Sequence, residues 1–84
     1  MPQFTLDLRW TPKGLANVPS EKFRIREEAK AEAKDKNITI ISITDRLHPP
    51  VGPLWVVEGQ ESDVTALVKK FNEEKHVTAT AQII

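Results

Sequence analysis

The five residues Pro49-Pro50-Val51-Gly52-Pro53 constrain this chain more than any other stretch. Proline has no amide donor and drives the residue before it out of helical geometry. No regular element crosses this segment. It lies inside Asn37 to Gly59, NITIISITDRLHPPVGPLWVVEG, and both flanks are β-rich. On the N-terminal side Ile38, Ile40, Ile41 and Ile43 interleave with Thr39, Ser42 and Thr44. β-Branched side chains are stiff at χ1 and suit a pleated backbone. On the C-terminal side Leu54 to Glu58 is a second strand. The unit is strand, stiff loop, strand, and its prolines reduce the entropy lost in ordering the loop. The apolar parity shifts between Ile40 and Ile41, so either both faces of that strand are partly covered or a bulge sits there.

The segments on either side read as two similar halves. Phe4, Leu6, Leu8 and Trp10 alternate with Thr5, Asp7 and Arg9, the period of a half-buried strand. Thr11-Pro12-Lys13-Gly14 ends it as a turn, and Leu15 to Val18 form a connection or a short helical turn. Pro19-Ser20 predicts a helix start with Ser20 as N-cap, and the helix runs to about Lys34–Lys36. Its apolar stripe is thin, with Ile25, Ala29 and Ala33, and its many charges read as a solvated face. After Glu58, Gly59 to Ser62 forms a turn and a cap. Val64, Leu67, Val68 and Phe71 then mark an amphipathic helix ending near Asn72–Lys75. Val77 to Ile84 is a last strand.

The order is β-α-β-β-α-β. Short connections and right-handed crossovers make it an α+β, ferredoxin-like sandwich: a four-stranded antiparallel sheet in order 4-1-3-2 with two helices on one face. Residues 1–84 form one domain. The helices leave the other sheet face open. By parity that face carries Thr5, Asp7 and Arg9, with Thr78, Thr80 and Gln82. Its middle is expected to be apolar, from Ile41 and Ile43 with either Trp55 and Val57 or Leu54 and Val56. Such a face suits a partner, most simply a second copy. The expected interface residues are Thr5, Ile41, Ile43, Val57, Thr78 and Thr80. A chain of this size buries only about 60–65% of its unfolded surface, so dimerisation would also add stability.

Bulk properties exclude several classes. Twelve acidic and twelve basic residues cancel, whereas nucleic-acid binders carry a basic excess. No cysteine is present for a disulfide or a thiolate zinc site. No apolar run reaches a membrane span, and no signal-peptide pattern opens the chain. The expectation is a soluble, cytoplasmic protein without nucleic-acid, membrane, metal or cofactor partners.

Trp10-Thr11-Pro12-Lys13-Gly14-Leu15-Ala16-Asn17-Val18, a charged Ala-rich helix, an Ile/Thr strand, Trp55-Val56-Val57-Glu58, a second helix and a closing Val77-Thr78-Ala79-Thr80 strand resemble the small GYD-type proteins. The resemblance implies a ferredoxin-like protomer of the dimeric α+β barrel superfamily, whose paired sheets enclose a cavity. Relatives in that superfamily include isomerases, monooxygenases and haem- or metabolite-handling proteins. The chain departs from the pattern where the eponymous Gly-Tyr-Asp would stand: it reads Val51-Gly52-Pro53, and it has no tyrosine.

Few residues carry chemistry. Asp7 and Arg9 point the same way on the first strand, as a polar anchor of a ligand pocket or as an interface ion pair. Asp45 and His48 are three apart in the proline-rich loop and suit acid–base partners or two metal ligands; two ligands alone do not make a metal site, and a loop histidine is more often solvated or simply hydrogen-bonding. They are the candidate catalytic residues. His76 follows a helix and suits its negative end. Trp10 and Trp55 are core or interface anchors, or line a pocket. The expected ligand-binding set is Asp7, Arg9, His48 and Trp55. Two functions compete: a homodimer binding a small metabolite between its sheets, with or without isomerase- or monooxygenase-like activity, and a protein-interaction module using the open face and the 45–53 loop. An RNA reader of the same topology is disfavoured, because paired aromatics and basic residues are missing.

Overall fold

The computed structural model describes every residue from Met1 to Ile84. In chain order the elements are β1 (Gln3–Trp10), α1 (Pro12–Leu15), α2 (Val18–Asp35), β2 (Thr39–Arg46), β3 (Gly52–Glu58), α3 (Glu61–Glu74) and β4 (Val77–Ile83). The strands form one antiparallel sheet in the order β2-β3-β1-β4. Read from the other edge, this is the order expected from the sequence. No helix is long and apolar enough to cross a membrane.

β1 shows how the pattern becomes structure. Phe4, Leu6 and Leu8 are buried, while Thr5 and Asp7 are half-buried and Arg9 is exposed. The buried side meets Ile25, Ala29 and Ala33 of α2 and Val64, Leu67 and Phe71 of α3 in a single apolar cluster. The two alanines have short side chains, which lets α2 lie close to the sheet. Trp55 of β3 stands edge-on to Phe71, with ring centroids 5.5 Å apart and planes at 77°. That is a favoured aromatic geometry.

Register decides which side each central residue takes. Residues directly opposite in an antiparallel pair share a face. Trp55 lies opposite Leu6 and Val57 opposite Phe4. Both are therefore core residues, 1% and 0% exposed. Ile43 lies opposite Trp55 and Ile40 opposite Val57, and both pack against the same core. The expectation that Ile43, Trp55 and Val57 contribute to the open face is corrected. Leu54 and Val56 occupy its middle instead. Ile41 is the extra residue of a register shift between Ile40 and Ser42, and it is 47% exposed. Of the two readings of the parity change, the bulge is the one realised.

The helix starts also differ from expectation. Pro12–Leu15 is a short helix, giving three helices rather than two. Thr11 caps it: its Oγ1 accepts from the Gly14 amide at 3.2 Å and donates toward the Lys75 and His76 carbonyls at 2.7 and 3.0 Å. α2 begins after Asn17, so Ser20 sits inside the helix and Pro19 occupies the first turn, where no amide bond is lost. α3 begins after Gln60, not Ser62, and Glu61 and Asp63 in its first turn suit its positive end. It ends at Lys75 in the left-handed conformation, φ 65°.

One arginine ties α2 to α3. Arg24 donates to Glu21 at 2.5 Å, to Glu28 at 2.9 Å and to Glu74 at 2.6 Å. The neighbouring Glu74 carboxyl and burial together raise the Glu28 pKa above its ordinary value. Burial opposes ionisation of Glu74, but the neighbouring Glu28 carboxyl and the bond from Arg24 outweigh this and hold its pKa low.

Gly52 is where glycine is required. Its φ is +152°, and a Cβ there would fall 2.0 Å from the Leu8 carbonyl oxygen. That oxygen belongs to the central strand and has no room to move. Gly52→Ala is expected to cost at least about 3 kcal/mol, from strain plus backbone displacement. Urea denaturation checks this; a loss under about 1 kcal/mol would mean β3 enters the sheet in another way.

Candidate functional site

The open face of the sheet is the outer surface of all four strands. β1 contributes Thr5, Asp7 and Arg9. Cross-strand neighbours are Val56 and Gln82 for Thr5, Leu54 and Thr80 for Asp7, and Thr78 for Arg9. β2 adds Ser42 opposite Val56 and Thr44 opposite Leu54. The surface is hydroxyl-rich with a short apolar middle, less apolar than the sequence suggested. Thr5, Asp7, Leu54, Thr80 and Gln82 line a groove of ≈ 400 Å³ across it.

Asp7 is the best-held charge on this face. Arg46, at the end of β2, donates to its Oδ1 at 2.6 Å. The same guanidinium donates to the Leu8 carbonyl at 3.0 Å and, through Nε, to the Gly52 carbonyl at 3.0 Å. Arg9 shares the face with Asp7 and approaches both of its oxygens at 3.4 Å. The hydrogen bond from Arg46 holds the Asp7 pKa below its ordinary value, with Arg9 adding to the effect against a smaller cost of burial. The result is a fixed carboxylate flanked by two guanidinium groups. Such a cluster can orient a polar ligand or meet complementary charge.

The other expected site residues lie elsewhere. His48 is exposed in the 47–51 loop with no protein hydrogen-bond partner, beside an open depression of ≈ 470 Å³ formed with Asp45, Arg46, Leu47, Pro49 and Pro50. Asp45 pairs with Lys22 of α2 instead. The structure does not join Asp45 and His48 as an acid–base pair. His76 places Nδ1 3.4 Å from Glu21, so its neighbour is a carboxylate of α2 as well as the end of α3. No group of three His, Asp or Glu side chains converges as a metal centre needs.

Trp55 does line a cavity, on the helix-covered side. Trp10, Ile25, Ile43, Pro53 and Trp55 form its apolar wall, and Lys22, Arg26 and Asp45 its charged rim. The Trp55 Nε1–H is buried with no partner in the protein. As a ligand-binding residue of the open face Trp55 is corrected: its register with Leu6 turns it toward the helices.

Sequence reasoning missed Arg46 as the main partner of Asp7. The two are 39 residues apart, and no local spacing links them. The one usable signal was that a half-buried Asp on a central strand needs more than an exposed Arg beside it. It also missed Lys22 and Arg26, which are indistinguishable in sequence from the other charges of a solvated helix.

No protein-family model, curated protein or solved structure matches this chain.

The Asp7–Arg46 pair gives a test. A carboxylate whose folded pKa is lowered contributes stability above its unfolded pKa, and that contribution is lost as pH falls through the folded value. For Asp7 the loss begins below its ordinary value of 3.8. Arg46→Met is expected to cost about 1 kcal/mol near neutral pH, a value discounted for the partly exposed setting. It should also make stability fall less steeply with acid below that point. Urea midpoints measured from neutral to strongly acidic pH check both; parallel curves for the two proteins would remove the coupling.

Proposed function

We propose that two copies of this chain pack open face to open face, and that the space between the sheets binds a small metabolite with polar and apolar parts. The observation that carries this is the groove in which Asp7, fixed by Arg46 and Arg9, stands beside Leu54. A charged group held in place beside an apolar side chain is the usual composition of a small-molecule site. The antiparallel sheet with its helices on one side fits a ferredoxin-like protomer, and the resemblance to GYD-type proteins supports the paired arrangement. Leu54 and Val56 are the apolar centre of the interface, Thr5, Thr78 and Thr80 its polar surround. The reading is one of binding; an isomerase- or monooxygenase-like step is not assigned to any residue.

A second reading has one observation in its favour. Leu47 is 86% exposed and Val51 36% exposed, on a loop stiffened by Pro49 and Pro50. A rigid loop presenting apolar side chains suits docking to another protein.

Light scattering over a dilution series separates the two. The metabolite reading expects a dimer that persists to low micromolar concentration and is weakened at least about tenfold by Val56→Arg. A monomer at every concentration would sink it and leave the loop as the docking surface.

A further inference from the structure

We propose that the cleft between α2 and the sheet, opposite the open face, binds the carboxylate head of a small organic acid. Two donors of its lining have no partner in the protein. Trp55 is 1% exposed and its indole Nε1–H meets no acceptor. Arg26, half-buried on the rim, makes no hydrogen bond or ion pair, whereas Arg9, Arg24 and Arg46 each hold a carboxylate. Indole and guanidinium groups donate only: the buried indole needs an acceptor, and the unpaired guanidinium on the rim is free to take an anion. Lys22 is the other cation of the rim and Asp45 neutralises it. With Arg26 the rim therefore keeps one net positive charge. An anion fits that set, and an amine does not.

Shape narrows the class. The cleft has ≈ 10 Å³ for an occupant, room for about one oxygen atom. Only the tip of a ligand enters, and the rest lies at the rim. A planar carboxylate meets this: one oxygen takes the indole N–H, and the other faces the planar guanidinium of Arg26. Trp10 and Ile43, both partly exposed, offer apolar surface to a short hydrocarbon tail. The Lys22–Asp45 pair spans α2 and β2 at the mouth, with side chains 41% and 37% exposed. An ion pair that open to solvent costs little to separate, so it serves as the entrance. This site is on the other side of the sheet from the metabolite groove and stands independently of the dimer.

The chain has only two tryptophans, and both line the cleft. Two indole N–H signals in a ¹H–¹⁵N spectrum therefore report on it directly, and Trp10→Phe identifies the Trp55 signal. Titration with hexanoate is expected to move that signal downfield and saturably, with hexylamine leaving it in place. Arg26→Gln, a change at the solvent rim that leaves the core intact, is expected to raise the hexanoate Kd about tenfold. A Trp55 signal unmoved by hexanoate through the millimolar range overturns the proposal, as does an Arg26→Gln titration identical to that of the parent. An equal response to inorganic phosphate overturns the assignment to carboxylates.

Discussion

The backbone of β3 passes against the Leu8 carbonyl at Gly52, and no side chain fits between them. That approach starts β3 beside β1 in one register and no other. Register in turn sends Trp55 and Val57 into the core and leaves Leu54 and Val56 outside. A slip of one residue would exchange the two pairs. Arg46 adds a second hold at the same point. It bonds the carbonyls of Leu8 and Gly52 and the Asp7 carboxylate, joining three strands through one guanidinium. The proline-rich loop that precedes Gly52 limits how the chain can arrive there, so a feature of composition becomes a feature of alignment.

The two faces of the sheet differ in kind. The helix-covered side is dry and aromatic, with Trp55, Phe71 and a cluster of aliphatic side chains. Polar groups border it where Arg24 joins three glutamates and where Lys22 and Arg26 rim a cleft. The open side is built of threonines and serine with one well-held carboxylate. Around Leu54 and Val56 its hydroxyls can hold water as well as protein. The two faces therefore suit occupants of different size and chemistry.

The strands, their order and the core of the two long helices were legible in the sequence, because period two in β1 and the spacing of Val64, Leu67 and Phe71 each admit one phase. Leu54-Trp55-Val56-Val57 admits two, since all four residues are apolar. The choice between them is made by Leu6 and Phe4 across the sheet, outside the reach of local pattern. The shift at Ile40 and Ile41 was visible, but its two causes give opposite faces to Ile43. Helix starts were displaced because serine is only one of several residues that open a helix. Asn17 and Gln60 do so here without side-chain caps. The charged residues were the least legible: a salt bridge between Arg46 and Asp7 depends on where two distant strand ends meet.

The bulge at Ile41 lies on β2, an outer strand of the sheet. An outer strand offers free amide and carbonyl groups along its length, a template on which another chain can grow. One inserted residue bends the strand and breaks the even spacing of those groups. An arriving strand can match the ladder on one side of Ile41 or on the other, but not across it. The irregularity that turns Ile43 inward thus also guards the β2 border of the sheet against polymerisation.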